Sequence, residues 1–167
     1  ILDNFCWGNP NCPDRLGSLV RALKGCYDGA LHYRTPFISG KDSLNNEYMD
    51  TVTGRQVSIP PSLLISSIGL LDDVRQTCTA DLKAAGNTLY LLGVTGPELG
   101  GSLYAAQGHA RGFAPPGQAP AGPATARALH DAMVQGLVVS CHDCSEGGLG
   151  VAAAEMAMSG DLGAELY

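Results

Sequence analysis

Pro36–Tyr48, P-F-I-S-G-K-D-S-L-N-N-E-Y, combines a strand-like apolar start with a dense polar cluster. Phe37 and Ile38 predict the end of a strand, and Gly40 would then permit a turn with a positive φ. Ligands of α/β proteins collect just past strand ends, so one interpretation of the cluster is a binding loop. The other interpretation is a solvated hairpin turn. The residues of this stretch alone do not decide between the two.

A second stretch, His142–Gly148 (H-D-C-S-E-G-G), has the same order of features. The strand-like run Leu137–Ser140 precedes it, and a helical pattern follows from Leu149. Helix N-termini attract anions, glycines let a phosphate approach the backbone, and a nearby carboxylate typically holds Mg²⁺. The stretch therefore predicts a nucleotide-phosphate site. The alternative is a capping box in which Ser145 caps the helix and the carboxylates serve its dipole.

Two familiar catalytic motifs are excluded. Ser39–Ser43 is not a phosphate-binding P-loop, because Thr35 stands where that motif requires its first glycine. His142 and Asp143 are adjacent on a predicted strand end, and adjacent strand residues point to opposite faces. We therefore expect that these two side chains do not orient each other, and we reject a serine-hydrolase triad.

A long amphipathic helix is predicted between Leu16 and Leu31, where apolar residues recur at steps of three and four. Asp14 is a suitable N-cap for it. Gly25 and Gly29 weaken a helix, so we expect them to allow close packing against a sheet.

The rest of the chain alternates strand and helix patterns, which predicts an α/β fold. Met49–Ile59 is typical of a hairpin that turns at Thr53-Gly54. Further strands are predicted at Ser62–Leu71, Thr88–Val94, Leu137–Ser140 and Gly163–Tyr167, the first two of them buried, and further helices at Ala124–Gln135 and Leu149–Met158. The composition becomes polar from Val74 to Asn87, so we place a domain boundary near residue 75.

Composition limits the classes of function. The chain has 167 residues, 45% of them hydrophobic, and a net charge of −6, which argues against binding of a nucleic-acid backbone. It contains no signal peptide and no apolar run near ~18 residues, so we expect a cytoplasmic protein that does not span a membrane. Because both ends have the composition of strand interiors, we expect an internal piece of a longer protein.

The six cysteines do not form a recognisable framework. Only Cys141 and Cys144 have the C-x-x-C spacing, and no second pair completes a zinc site. We therefore predict that these two residues hold neither a metal nor a disulfide, as is usual for thiols of a cytosolic protein.

Six motifs together resemble the phosphoribosylformylglycinamidine synthase family, in the order found in that enzyme's second half. They are D-N-F-C-W-G-N-P, P-F-I-S-G-K-D-S-L-N-N-E-Y, I-P-P-S-L-L-I-S-S-I-G, G-N-T-L-Y-L-L-G, E-L-G-G-S and H-D-C-S-E-G-G-L-G-V-A-A-A-E-M-A. The resemblance covers essentially the whole chain. It implies a two-layer α/β fold of the aminoimidazole-ribonucleotide-synthetase type. Residues 1–75 would be the C-terminal part of the N-terminal domain, and residues 76–167 the first part of the C-terminal domain.

The resemblance also implies an activity. The family converts formylglycinamide ribonucleotide, ATP and glutamine-derived ammonia to formylglycinamidine ribonucleotide, a step of purine biosynthesis. The amide oxygen is activated by phosphorylation, and ammonia then displaces the phosphate. The implied cofactors are ATP and Mg²⁺. The implied partners are the rest of the synthetase chain and a glutaminase domain or subunit, so we expect the isolated fragment to be inactive.

Individual positions carry the family's site residues. Asp3 and Gly40 would contact ATP, and Ser43 would contact the ribonucleotide. The position after Gly40 binds Mg²⁺ in the family, but here it is Lys41, whose ammonium group donates hydrogen bonds and cannot ligate a cation.

Gly-Lys-Asp-Ser is similar to the large, single-chain form of the enzyme. In that form the residues matching Asp143 and Ser145 serve a second nucleotide and its Mg²⁺, in a pseudosymmetric site thought to be structural. The resemblance thus makes Asp143 a metal ligand and Ser145 a nucleotide contact. No catalytic residue is assigned.

Two alternatives stay open. The chain could belong to another ATP-using member of the superfamily, such as selenophosphate synthetase or thiamine-phosphate kinase, although we find no P-F-I-S-G-K-D-S motif in those. It could also be a non-catalytic scaffold that holds a nucleotide without turning it over. Inert bound ADP would favour the scaffold, and bound ATP that is hydrolysed would favour the enzyme.

Overall fold

The computed structural model describes residues 1–109 and 112–167 and divides them into two units, Ile1–Leu71 and Asp72–Tyr167. The described chain mixes strands and helices, as the sequence predicts. No helix within these two ranges is long and apolar enough to cross a membrane.

The first unit contains a mixed sheet, a long helix and a hairpin. Its elements are β1 (Leu2–Cys6), α1 (Pro13–Tyr33), β2 (Ser39–Ser43), β3 (Glu47–Met49), β4 (Gln56–Ser58) and β5 (Ser62–Ser66). The sheet has the order β2-β1-β5, with β1 parallel to β2 and antiparallel to β5. Parallel neighbours need a long crossover connection, and α1 supplies it between β1 and β2.

A small aromatic core fixes α1 against the sheet. Phe5, Trp7 and Leu19 are buried, and the rings of Phe5 and Trp7 have their centroids 5.7 Å apart. The indole Nε1 of Trp7 donates a hydrogen bond to Ser18 Oγ at 2.9 Å, which satisfies its polar atom. Phe5 therefore marks the face of the sheet that lies against α1.

The predicted hairpin is confirmed as β3 and β4, which pair antiparallel. Glu47 anchors its first strand, with a side chain only 4% exposed. That carboxylate forms an ion pair with Arg15 of α1 and accepts hydrogen bonds from the Asn9 backbone N–H at 2.8 Å and from Gln56 at 2.5 Å. The hairpin is thereby tied to the start of α1.

The prediction that a strand ends at Ser39-Gly40 is wrong, because β2 begins at Ser39 and includes the polar residues that follow. Among the described residues β2 is an outer strand of its sheet and pairs only with β1. Outer strands accept polar and charged side chains. A prediction based on the apolar residues Phe37 and Ile38 therefore placed the strand too early in the chain. Gly40 does not have a positive φ, so the predicted turn at this residue is also wrong.

The strand predicted at Ser62–Leu71 is shorter and less buried than expected. β5 ends at Ser66, and all five of its residues are exposed. Within the described chain β5 is the other outer strand of the sheet. The apolar run therefore does form a strand, but the inference of burial from its composition was wrong.

The predicted helix between Leu16 and Leu31 is confirmed as α1, with corrections to its details. Its N-cap is Cys12, whose side chain makes no capping hydrogen bond, and Asp14 lies in the first turn, where a negative charge favours the helix dipole. Gly25 and Gly29 are not closely packed, since an added Cβ at either would meet no heavy atom within 4 Å. Both instead line an open apolar groove of about 580 Å³ between α1 and β5.

The regular secondary structure in the described residues of the second unit is helical, and the rest of these residues form loops and turns. Its elements are a 3-10 turn (Val74–Gln76), α2 (Leu103–Ala106), α3 (Gly122–Val134) and α4 (Gly148–Gly160). The last two confirm the helices predicted at Ala124–Gln135 and Leu149–Met158. The strands predicted at Thr88–Val94, Leu137–Ser140 and Gly163–Tyr167 are wrong, because these residues are not in strand conformation. None of them pairs with another described strand, so their backbone groups lack the ladder that defines a strand.

The segment at Asp81 and Leu82 is hydrogen-bonded both to α4 and to the residues that precede the loop before α4. Ala152, Ala153 and Met156 form the buried side of α4, and the Leu82 N–H donates to the Met156 carbonyl at 3.1 Å. Ser140 Oγ donates to the Asp81 carbonyl at 2.6 Å. The loop that precedes α4 therefore starts from a fixed point.

Candidate functional site

Asp3 and Gly40 lie directly opposite each other on β1 and β2. A Cβ added at Gly40 would overlap the Asp3 carboxylate, with Oδ1 as the nearest atom. The missing side chain at position 40 thus makes room for the carboxylate. The structure brings together the two residues that the resemblance assigns to ATP.

The Asp3 carboxylate lies on the α1 side of the sheet. Burial raises the pKa of the Cys26 thiol on α1, and the negative charge of Asp3 raises it further. Asp3 is also two residues from the buried Phe5, and alternate residues of a strand share a face.

Lys41 and Ser43 lie on the opposite face of β2. Their neighbours on β1 are Asn4 and Cys6, and Lys41 Nζ donates a hydrogen bond to Ser43 Oγ. The structure therefore separates the predicted substrate residue, Ser43, from the predicted ATP pair of Asp3 and Gly40. A ligand that touched both faces would have to reach around β2.

The second cluster lies in the loop before α4 and centres on Asp143. Its Oδ2 accepts a hydrogen bond from Ser145 Oγ, and its Oδ1 lies 3.3 Å from His142 Nδ1. The other ring nitrogen of His142, Nε2, lies 2.7 Å from Glu155 Oε2 on α4. The structure thus brings together the predicted metal residue Asp143 and the predicted nucleotide residue Ser145.

These contacts favour an ionised Asp143. The hydrogen bond from Ser145 is the main cause that lowers the pKa of Asp143 below its ordinary value. The hydrogen bond to Glu155 is the main cause that raises the pKa of His142. The Asp143 side chain is 79% exposed, so its negative charge is open to a ligand from solvent.

The expectation that His142 and Asp143 do not orient each other is wrong. It assumed a strand, but residues 141–145 have no regular secondary structure, and the alternation of faces does not apply there.

The capping-box alternative is also not formed. The N-cap of α4 is Gly147, with a φ of 85° and no side-chain hydrogen bond, while Ser145 Oγ bonds to Asp143. A Cβ at Gly147 would overlap Val151, so the glycine is required both by its backbone angle and by this contact.

The donor chemistry at Asp143 fits Mg²⁺. A carboxylate offers about four lone-pair sites, and the hydrogen bonds from Ser145 and His142 leave others free. Within the described residues no three His, Cys, Asp or Glu side chains converge as a ready-made metal site. A cation held here would need phosphate oxygens and water, which is how Mg²⁺ usually binds. Lys41 does not fit a metal, because its ammonium group has no lone pair.

Glu155 is the member of this cluster that sequence reasoning missed. A usable signal was present, since Glu155 is the one charged residue in the sequence of α4. It lies 13 positions from His142, and pattern reasoning about neighbours does not reach that far.

The comparisons with known proteins identify the class of the second unit. The sequence profile of the C-terminal domain of AIR synthase related proteins matches residues 84–167. The chain therefore belongs to the AIR synthase related protein family, which confirms the predicted fold class.

Individual relatives are similar over nearly the whole chain. Phosphoribosylformylglycinamidine synthase subunit PurL of Rhodopseudomonas palustris (strain BisB18) is 38% identical over 168 residues, which is 99% of this chain and 22% of that protein. The PurL subunit of Rhodospirillum rubrum is 39% identical, with coverage of 99% and 22%, and that of Gloeobacter violaceus 36%, with coverage of 98% and 21%. The chain spans about a fifth of the length of these relatives.

Proposed function

We propose that this chain is a segment of a phosphoribosylformylglycinamidine synthase, an ATP-dependent ligase of purine biosynthesis. The observation that carries the proposal is the exposed, ionised carboxylate of Asp143. It is held by Ser145 at the glycine-rich entrance to α4, inside the region that matches the family profile. The names of the relatives support the reaction.

In the proposed reaction ATP phosphorylates the amide oxygen of formylglycinamide ribonucleotide, and ammonia then displaces the phosphate. The products are formylglycinamidine ribonucleotide, ADP and phosphate. The ammonia comes from glutamine through a glutaminase domain or subunit in the cytoplasm. We assign residues 1–75 to the end of the N-terminal-type domain and residues 76–167 to the beginning of the C-terminal-type domain.

Asp143 would hold Mg²⁺ against the nucleotide phosphates, and Ser145 would contact the same nucleotide. The cation would offset phosphate charge, and the free N–H groups at the start of α4 favour the same anion. The role of this chain's own residues is to bind and orient the nucleotide. None of them is assigned to the chemical step.

In the first unit, Asp3 and Gly40 would contact ATP, and Ser43 would contact the ribonucleotide. Their placement on opposite faces of β2 is compatible with two different ligands. Lys41, beside Ser43, supplies positive charge to that face without a metal.

A nucleotide-holding scaffold that does not turn over is the second candidate. The observation in its favour is Lys41, which removes the metal contact that the family has after Gly40. Analysis of the nucleotide that copurifies with the full-length protein separates the two candidates. Bound ATP that is consumed when formylglycinamide ribonucleotide and ammonium are added supports the ligase, whereas ADP that stays bound and inert supports the scaffold.

Asp143→Asn in the full-length protein tests the site. Removing the charge should weaken binding of Mg²⁺-ADP at least about 10- to 100-fold, since the loss of a residue that only supports a metal ligand already costs that much. Titration calorimetry measures the affinity, and a thermal melt of the same sample reports folding. A lowered melting temperature with unchanged Mg²⁺-ADP affinity would mean that Asp143 has only a structural role.

A further inference from the structure

Glu155 is the one charged residue of α4, and the proposed function gives it no role. Neighbouring α4 residues Ala152, Ala153 and Met156 are buried, so the backbone that carries Glu155 is well anchored. Its carboxylate lies 2.7 Å from His142 Nε2. A fixed helix thereby holds a side chain of the loop before it.

His142 connects this fixed point to Asp143. The ring is 23% exposed and places one nitrogen against each carboxylate, so that it bridges the loop and α4. Ser145 holds the remaining oxygen of Asp143. The four side chains form a continuous series in the order Ser145, Asp143, His142, Glu155.

Asp143 needs such support because its side chain is 79% exposed and stands on a loop. An exposed carboxylate loses conformational entropy when it is fixed on a ligand. Side chains that fix a metal-binding carboxylate beforehand reduce that loss, and their removal typically costs 10- to 100-fold in metal affinity.

An alternative interpretation is that His142 and Glu155 form an ordinary surface ion pair, which would show the same 2.7 Å distance but would not affect ligand binding. Exposed ion pairs contribute little to folding. A pair of that kind at Glu155 would leave the affinity for a ligand unchanged. Glu155 is 51% exposed, so its exposure does not separate the two interpretations. The position of His142, with a contact to Asp143 on its other nitrogen, favours a role at the ligand site.

We propose that His142 is a positioning residue, which fixes the Asp143 carboxylate for a magnesium–nucleotide complex by linking it to Glu155 on α4. This inference rests on the proposed function of Asp143. It adds two residues that act through Asp143 and do not touch the ligand.

Substitutions at Glu155 in the full-length protein test the inference, with Mg²⁺-ADP as the probe. Glu155→Ala removes the anchor and should weaken the Mg²⁺-ADP affinity about 10-fold or more. Glu155→Gln keeps an oxygen that accepts from His142 and should recover most of that affinity. Glu165→Ala, which removes an exposed carboxylate of the same unit outside the loop that carries Asp143, is the matched control and should leave the affinity unchanged.

His142→Gln provides an independent variant if Glu155→Ala does not fold. The glutamine amide still reaches Glu155 but no longer reaches Asp143, so the same loss of affinity is expected. Melting temperatures of all variants are measured alongside calorimetry.

The inference is overturned if Glu155→Ala or His142→Gln folds and binds Mg²⁺-ADP as tightly as the unmodified protein. An equal loss in Glu165→Ala would also overturn it, because general charge removal would then explain the effect. Asp143→Asn distinguishes a failure of the proposed function from a failure of the role proposed for His142. If it weakens binding and the Glu155 variants do not, the proposed function stands and only the role of His142 fails. If Asp143→Asn has no effect, the proposed function fails.

Discussion

Asp3 explains why position 40 carries glycine. The carboxylate of Asp3 occupies the space that a Cβ at position 40 would need. Gly40→Ala should therefore force Asp3 aside and lower the free energy of unfolding by about 1–3 kcal/mol, the usual cost of overpacking. The melting temperature of the full-length protein and its affinity for ATP measure the effect.

Gly25→Ala is the matched control for that substitution. No heavy atom lies within 4 Å of an added Cβ at position 25, and alanine is favoured over glycine inside a helix by about 1 kcal/mol. The same chemical change should therefore stabilise α1. Adding Asp3→Ala to Gly40→Ala should restore stability, and a double variant as unstable as Gly40→Ala would contradict the explanation.

Residue patterns alone predicted the members of the Asp143 cluster only where they are close in the chain, whereas Asp3 and Gly40, which are distant in the chain and opposite each other in the sheet, were predicted from the family resemblance. Asp143 and Ser145 were found because they stand together before a helix, and the structure does connect them. Glu155 was missed because its contact with His142, 13 positions away in the chain, forms only in the folded structure. The contact of His142 with Asp143 was missed because a strand was assumed where the chain forms a loop.

The hairpin of β3 and β4 depends on the carboxylate of Asp50. The hydrogen bond from the Thr53 side chain, followed by that from the Val52 backbone, lowers the pKa of Asp50. A lowered pKa in the folded state means that the carboxylate stabilises the hairpin above the unfolded pKa and that this stability is lost as the pH falls through the folded pKa.

Thr53→Ala should move the pKa of Asp50 back toward its ordinary value, and NMR titration of the side-chain carboxyl measures the change. Thr51→Ala changes a neighbouring threonine that is not among the residues donating to the Asp50 carboxylate, which are Val52 and Thr53, so it should leave the pKa of Asp50 in place. An Asp50 pKa that is identical in the two variants would show that Thr53 is not the cause.

Helices were predicted better than strands because of the range of the interactions that form them. The periodicity that marks α1 and α4 lies within the helix itself. A strand such as the one predicted at Thr88–Val94 would need a partner elsewhere in the chain, and no described strand pairs with these residues. The position predicted for β2 was wrong for a related reason, since a strand with one neighbour does not need an apolar sequence.

The chain as a whole corresponds to about a fifth of the relatives that it resembles. In the proposed reaction it supplies nucleotide and substrate contacts but no residue for the chemical step. The isolated chain of residues 1–167 should therefore form no formylglycinamidine ribonucleotide from ATP, formylglycinamide ribonucleotide and ammonium. The full-length protein under identical conditions is the positive control, and amidine formation by the isolated chain would contradict this expectation.

In β2, even-numbered and odd-numbered residues face opposite sides of the sheet. Gly40 and Asp42 share the side of the sheet that α1 covers, whereas Lys41 and Ser43 belong to the other side. A substitution at an even-numbered residue of β2 therefore leaves the side chains on the odd-numbered side unchanged, and the reverse also holds. The two sides of the strand can thus diverge independently in evolution. Insertion of a single residue before Gly40 would exchange both sides at once, because the strand period is two. Length changes should therefore be far less tolerated in β2 than substitutions, and a scan that compares single insertions with point variants across Ser39–Ser43 would measure the difference.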